Sequence, residues 1–582
     1  MMAWVLLKAK AQTAVAVPRR FEAGNLYESL TEIPGMTVRG AFAALYLSRG
    51  KPADGEFQRI FENHKIRFGP LRPLPKGIEG LSEEYIPVMP VPKSARSCKY
   101  DDGLPEGGHG VLDMLFEVAE EIDQSEKRGE ITCSQCGAPI EPLEKPWLVA
   151  KWHQGFGQGF GVDYKPDFRL NTHVGIGAVG TEEMGLAMEG RLFSLQCFPQ
   201  ETGFSGWISV NEGDPENLLE ALGFERIGDE RWRLPFYLRV GRRSSTYGAL
   251  EVEALLRQEP PWWKTHGKFE ERWKKFQEVF WQRFNDPSKL RMAVGDKGAF
   301  QNGYVFSVTF LTDTILIDQF LRPYRLLTAE EVARRLGIQP NQIQLLATFA
   351  RPQIIRGWNT AHRLPKEQDF AIAAGSVFLF IIQKGAIDEN SLITQLREWE
   401  ERGIGWRRSE GFGQILICDP WHLRSAPEEL VPLKWGKQRK PLETRGFEKE
   451  IIDFVKAIED KANLTKNQLE HLRARANQIN AFLQRGLQNL QIDPHQALAD
   501  YLKHQSERRI SGWGQTIKWG GRDQSLADAL IEVLGVHSLC WEEVLKRIHQ
   551  FVTLMLLTVS GKKLDEQFKV GKCVGGDDEC KD

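Results

Sequence analysis

Residues 405–415 read GWRRSEGFGQI, and residues 241–250 read GRRSSTYGAL. Both run glycine, Arg-Arg-Ser, a short gap, aromatic-glycine, then an apolar stretch. Glycines let a backbone approach a neighbour closely, and arginines and serines supply donors for phosphate. The alternatives are two unrelated hairpin turns, or one device used twice. The second divides the chain into two like modules, each closed by such a loop.

The flanking sequence favours two modules. WVLLKAKAQTAVA at 4–16 is strand-like, as are runs at 191–199, 205–210 and 233–240. IPGMTVRGAFAALYL at 33–47 predicts a helix from near Val38, with Thr37 as N-cap and an apolar stripe at Val38, Ala41, Phe42 and Leu45. Arg39 then falls in the first turn, where the helix dipole is already positive. It is unfavourable there unless an anion faces it, either a phosphate or an acid such as Glu32. Phe269, Trp273, Phe276, Phe280 and Phe284 repeat at helical spacing and predict a connector helix over 264–284. A second region opens near residue 298. Thr328 to Glu331 reads as a capping box and Gly337 as the residue after a helix over 329–336, with strands at 376–382 and 413–419. The strand–helix–strand pattern gives an α+β class with two ferredoxin-like (RRM-like) modules. The predicted domains are 1–255 with an insertion at 90–148, a connector at 256–297, and 298–420. A linker at 421–446, an all-α domain at 447–560 with helices near 494–506, 525–535 and 541–558, and a mobile tail at 561–582 follow.

Composition is that of an ordinary globular chain, with 41% hydrophobic and 26% charged residues and a formal net charge of −2. That balance argues against a broadly basic nucleic-acid coat protein and leaves room for local basic grooves. No apolar run reaches membrane-spanning length, and the N-terminus lacks a signal-peptide cleavage pattern. The expectation is a cytoplasmic protein with reduced cysteines. The 17 tryptophans read mainly as core, with some available as stacking platforms for bases.

CSQCG at 133–137 supplies half of a zinc site. Cys98 and His109 in the same insertion are the expected completion beside Cys133 and Cys136, with His153 as alternate. A complete Cys/His set leaves no open position for water, so the Zn²⁺ would be structural. A redox pair would need a helix directly after the cysteines, and GAPIEPLEKP cannot form one. GIGAVG at 175–180 matches a dinucleotide pattern, but no apolar helix follows, so it is a glycine-rich loop only. Arg356, Trp358, Asn359, His362 and Arg363 gather donors and an aromatic before a buried strand, which suits single-stranded RNA. There is no H-E-x-x-H, G-x-S-x-G or Walker loop. His173 is the remaining candidate general base.

Together these stretches resemble the RAMP superfamily of CRISPR effector proteins, in particular the subtype III-D backbone subunit. IPGMTVRGAFA, the HVGIG to GFSGWI run, the two arginine loops and IIRGWNTAHRLPK carry the likeness over about residues 1–420. It implies a guide-RNA (crRNA)-binding scaffold in a multisubunit complex that targets RNA in antiviral defence. Thr37, Arg39, His173, Arg242, Arg243, Ser244, Arg356, Trp358, Asn359, His362, Arg407, Arg408 and Ser409 become its expected RNA contacts. The helical C-terminal part resembles the small subunit of such complexes. Related subunits that cut RNA place an aspartate before the opening helix; here that loop holds Glu22, Glu28 and Glu32 and no aspartate. The expectation is a subunit that does not cut. The alternatives are an endoribonuclease acting through His173 or Glu28, and a protein-only interaction module.

Overall fold

The computed structural model describes residues 2–432 except 20–25, 64, 76–84, 105–107, 121–130, 134–135, 153–158, 177–186, 244, 293–296, 360–363 and 424–429, and beyond them chiefly 494–506 and 516–539. The chain forms two compact units, Met1–Gly129 with Glu141–Lys437, and Glu130–Ile140 with Gln438–Asp582. The class is mixed α and β with mostly antiparallel sheets.

In chain order the larger unit contains β1 (Ala3–Ala11), α1 (Gly35–Ser48), β2 (Ile66–Phe68), β3 (Arg169–Ile176), β4 (Ala187–Cys197), β5 (Gly203–Val210), α2 (Pro215–Leu222) and β6 (Ala249–Arg257). There follow α3 (Phe269–Arg283), β7 (Tyr304–Phe310), α4 (Ala329–Leu336), β8 (Ile343–Phe349), β9 (Val377–Ile382), α5 (Glu389–Arg402) and β10 (Ile415–Ile417). The first sheet has eight strands and its central run is β6–β1–β5–β2; the second, of four strands, runs β8–β9–β7–β10, and all of these neighbours pair antiparallel. Numbering each module's four strands along the chain gives the same order, fourth, first, third, second, with a helix after the first strand and another after the third.

β1 is apolar on both faces over Ala3–Leu7, where both are covered, and carries Lys8 and Lys10 on one face beyond that. Val5, Leu7 and Ala9 join Phe42 and Leu219 in the core beneath the helices. Trp4 and Leu6 point the other way, where Trp4 meets Trp207 and Trp262 edge-on at 5.3 and 5.2 Å. The connector helix forms as α3, broken from a short turn at Trp263–His266 by Gly267. All five aromatic residues of its stripe are buried. Arg272 on the same helix is wholly buried and pairs with both oxygens of Glu400, which also accepts from the indoles of Trp262 and Trp263. This satisfied pair ties the connector to the second module.

The helix over 329–336 forms as expected, with Thr328 Oγ1 accepting from the Glu331 amide and Gly337 left-handed. Glu331 turns instead to Arg334 and Arg335. α1 departs from expectation. It starts at Gly35 after Pro34, whose carbonyl accepts from the amides of Thr37 and Val38, so Thr37 is inside the helix and caps nothing.

The smaller unit has α6 (Pro494–Ser506), β11 (Thr516–Trp519), β12 (Arg522–Ser525) and α7 (Leu526–Leu534). The expected helices near 494–506 and 525–535 are present. The expectation of an all-α region is corrected by the β11–β12 hairpin, turned by Gly520 and Gly521, both at positive φ. The predicted helix at 541–558 and the 561–582 tail lie largely outside the described residues.

Candidate nucleic-acid interface and metal centre

The two arginine loops have the same backbone. In the first, the Val240 amide donates to the Gly248 carbonyl, the Arg242 amide to Ala16, the Thr246 amide to Arg243, and the Gly248 amide to Ala14. In the second, Ile404 donates to Gly413, Trp406 to Ile315, Glu410 to Arg407, and Gly413 to Asp313. Arg243 and Arg407 both sit in the left-handed region, at φ 55° and 54°. A Cβ on Gly248 or Gly413 would lie 1.8 Å from the Val240 or Ile404 carbonyl oxygen, so glycine is required at both places. The aromatic residues before them, Tyr247 and Phe412, are both buried.

The side chains on this shared frame differ. In the first loop the Arg242 guanidinium lies 4.2 Å from the Tyr27 ring centre, and that of Arg243 lies 4.9 Å from Phe193. Among the described residues no carboxylate is within 4 Å of either. Cation–π contact holds the arginines without cancelling their charge. Tyr27 and Phe193 come from a small sheet formed by β3, β4 and Leu26–Tyr27. His173, directly opposite Phe193 in that sheet, stacks on it at 5.2 Å, and its Nε2 is 2.7 Å from the Tyr247 hydroxyl. Burial and the nearby Arg243 hold the His173 pKa below the usual imidazole value.

In the second loop Glu410 takes the charge. Its carboxylate is 3.1 Å from Arg39, 3.2 Å from Lys366 and 2.6 Å from Arg407. Arg407 also pairs with Asp369. Burial pushes the Glu410 pKa up, but Arg407, then Lys366 and Arg39, outweigh it and hold it below the usual carboxylate range. Because α1 starts at Gly35, Arg39 falls in its second turn and not its first, and the anion that faces it is Glu410, while Glu32 pairs with Arg72. Gly35 makes this approach possible, since a Cβ there would lie 2.1 Å from the Phe68 oxygen and 2.5 Å from that of Glu410. Arg408 donates to the carbonyls of Arg402 and Gly403 at the end of α5, where a cation satisfies unpaired carbonyls and the helix dipole. Arg67, wholly buried, donates to the neighbouring Glu401 carbonyl. Ser409 is buried, while Trp406, at the place of Arg242, is 55% exposed.

Of the other expected contacts, Trp358–Asn359 pairs with Leu364–Pro365 inside the longer ladder of Pro352–Ile355 with Asp369–Ile372, and Arg356 falls between the two ladders. Trp358 and Phe370 are exposed there. Glu28 is exposed. Ser244, His362, Arg363, Glu22 and His153 lie outside the described residues.

Cys98 and His109 belong to the larger unit and Cys133 and Cys136 to the smaller. Three thiols and one imidazole make a donor set that tetrahedral zinc takes, so the residue types fit a metal ion. The Cys133 turn is built for it: the Gly137 amide donates back to the Cys133 carbonyl, with Gly137 at φ 68°.

Residues 281–420, about a quarter of the chain, match the family model described as CRISPR-associated protein (Cas_Cmr3). The match supports the resemblance to a CRISPR-associated, RAMP-like subunit of type III. No curated protein matches the chain. Among solved structures it aligns with a chain from the cryo-EM structure of the Type III-B Cmr-beta bound to cognate target RNA and AMPPnP, at 10% identity over 69% of this chain and 94% of that one, TM-score 0.29. A chain of the Cmr-beta structure bound to cognate target RNA aligns at 10% identity over 68% and 94%, TM-score 0.30. No described helix is long and apolar enough to cross a membrane.

Proposed function

We propose that the chain is a guide-RNA-binding structural subunit of a subtype III-D effector complex, contacting guide and target RNA and other subunits in the cytoplasm. Its two modules are ferredoxin-like RAMP domains, its 90–148 insertion is stapled by Zn²⁺, and its C-terminal region corresponds to a small subunit. The observation that carries this reading is the first arginine loop. Two guanidiniums there rest on aromatic rings with no described carboxylate to neutralise them, an arrangement suited to phosphate and base stacking. The strand order of both modules and the family match over 281–420 support it.

The test is to co-express the full chain with the neighbouring effector genes, purify the assembly, and measure its RNA and metal content. Co-purifying RNA of guide length and one zinc per chain are expected. An assembly free of RNA overturns the reading. Cys133→Ser with Cys136→Ser should release the zinc and lower the melting temperature while RNA remains bound; full zinc retention by that variant removes the metal assignment.

A further inference from the structure

We propose that Asn171, Tyr247 and His173 form a hydrogen-bond relay that fixes His173 as a ring N–H donor to the ribose 2′-hydroxyl of a strand held by Arg242 and Arg243, so that this site distinguishes RNA from DNA. The inference rests on the RNA-binding reading of the first loop and adds its sugar specificity.

The relay follows from the number of protons. Side chains alternate along β3, so Asn171 and His173 share a face, while Leu170, Thr172 and Val174 lie toward solvent. Asn171 Nδ2 donates to the Tyr247 hydroxyl oxygen at 3.2 Å. The amide has no use for the phenolic proton, and the Tyr247 ring is buried, so that proton needs another acceptor. His173 Nε2 stands 2.7 Å away. The phenol therefore donates to Nε2, which places the imidazole proton on Nδ1. Among the described residues Nδ1 has no hydrogen-bond partner. The depressed His173 pKa agrees, since an imidazolium would have no lone pair to accept from Tyr247.

The ring is half-buried, stacked on Phe193, with Arg243 over the same aromatic. Phosphate charge is met by the arginines. A neutral, directional N–H adds little to phosphate binding but matches a hydroxyl oxygen, and the 2′-hydroxyl is what separates RNA from DNA. Asn171 and Tyr247 are positioning residues acting through His173.

The experiment measures fluorescence anisotropy of the full chain with labelled RNA and DNA strands of one sequence, about 20 nucleotides long. Wild type should prefer RNA. Tyr247→Phe should cut that preference about threefold to tenfold, the worth of one hydrogen bond, with DNA affinity unchanged. His173→Phe, at a half-exposed position that keeps the stack, should do the same, so a folding defect in the tyrosine variant leaves the test intact. A 2′-deoxy substitution series should weaken binding to wild type and leave both variants unmoved. Wild-type RNA preference in His173→Phe overturns the relay while leaving RNA binding standing. A wild-type chain that binds neither strand overturns the RNA-binding reading itself.

Discussion

The two arginine loops share backbone hydrogen bonds, a left-handed arginine and an obligatory glycine, yet their charges are arranged oppositely. In the first, position 242 is arginine and position 246 threonine; in the second the matching residues are Trp406 and Glu410. Glu410 gathers Arg39, Lys366 and Arg407 into an internal strut between α1, the hairpin and the loop. Thr246 cannot do this, and Arg242 and Arg243 meet aromatic rings and no described carboxylate. On a common frame, the second loop's arginine is paired inside the fold with Glu410 and Asp369, while the first loop's arginines lie over aromatic rings.

The largest effect should come from what the loops share. Gly248→Ala and Gly413→Ala each set a Cβ against a carbonyl, and each should destabilise by about 3 kcal/mol or more in urea unfolding. If one is tolerated, the frames are not equivalent. Next, Arg242→Ala with Arg243→Ala should weaken RNA binding about tenfold to a hundredfold by anisotropy. Thr246→Glu moves the second loop's carboxylate into the first and should weaken binding about tenfold without lowering the melting temperature; unchanged affinity would show that Glu410's position is not what silences the second loop.

A smaller effect concerns the strut. Glu410→Gln should cost about 1–2 kcal/mol at neutral pH, since both partners are largely but not wholly buried. The folded Glu410 titrates below its ordinary 4.5, so its stabilisation is full above that value and is lost as pH falls through the lower folded value. The gap between wild type and Glu410→Gln should therefore close on acidification. A constant gap would assign the loss to packing.

The sequence made local features legible and distant ones not. The paired loops, the α3 aromatic stripe, the 329–336 helix and the four candidate metal ligands all rest on short spacings or on residue types with few uses. The expected helix start near Val38 put Arg39 in a first turn and called for an anion; the helix starts at Gly35, so that reason fails, although a carboxylate does face Arg39. That the anion is Glu410, 371 positions further along the chain, depends on how the two modules pack and on Gly35 admitting the close approach. The same distance hid the role of Arg408, whose carbonyl partners appear only once α5 ends beside it. The β11–β12 hairpin carried its own signal, Gly520-Gly521 between alternating residues, which the surrounding helical pattern masked. Tyr27 and Phe193 gave no signal, because a ring beneath a guanidinium leaves no mark on spacing.

The most direct test of the contrast is the salt dependence of RNA binding, compared between Arg242→Ala/Arg243→Ala and Arg407→Ala/Arg408→Ala. The first pair should flatten the slope of log affinity against log salt by about 1.4 to 1.8, the release expected for two phosphates, and the second should leave the slope unchanged while lowering stability. Equal flattening by both pairs, or flattening by the second alone, would contradict the account.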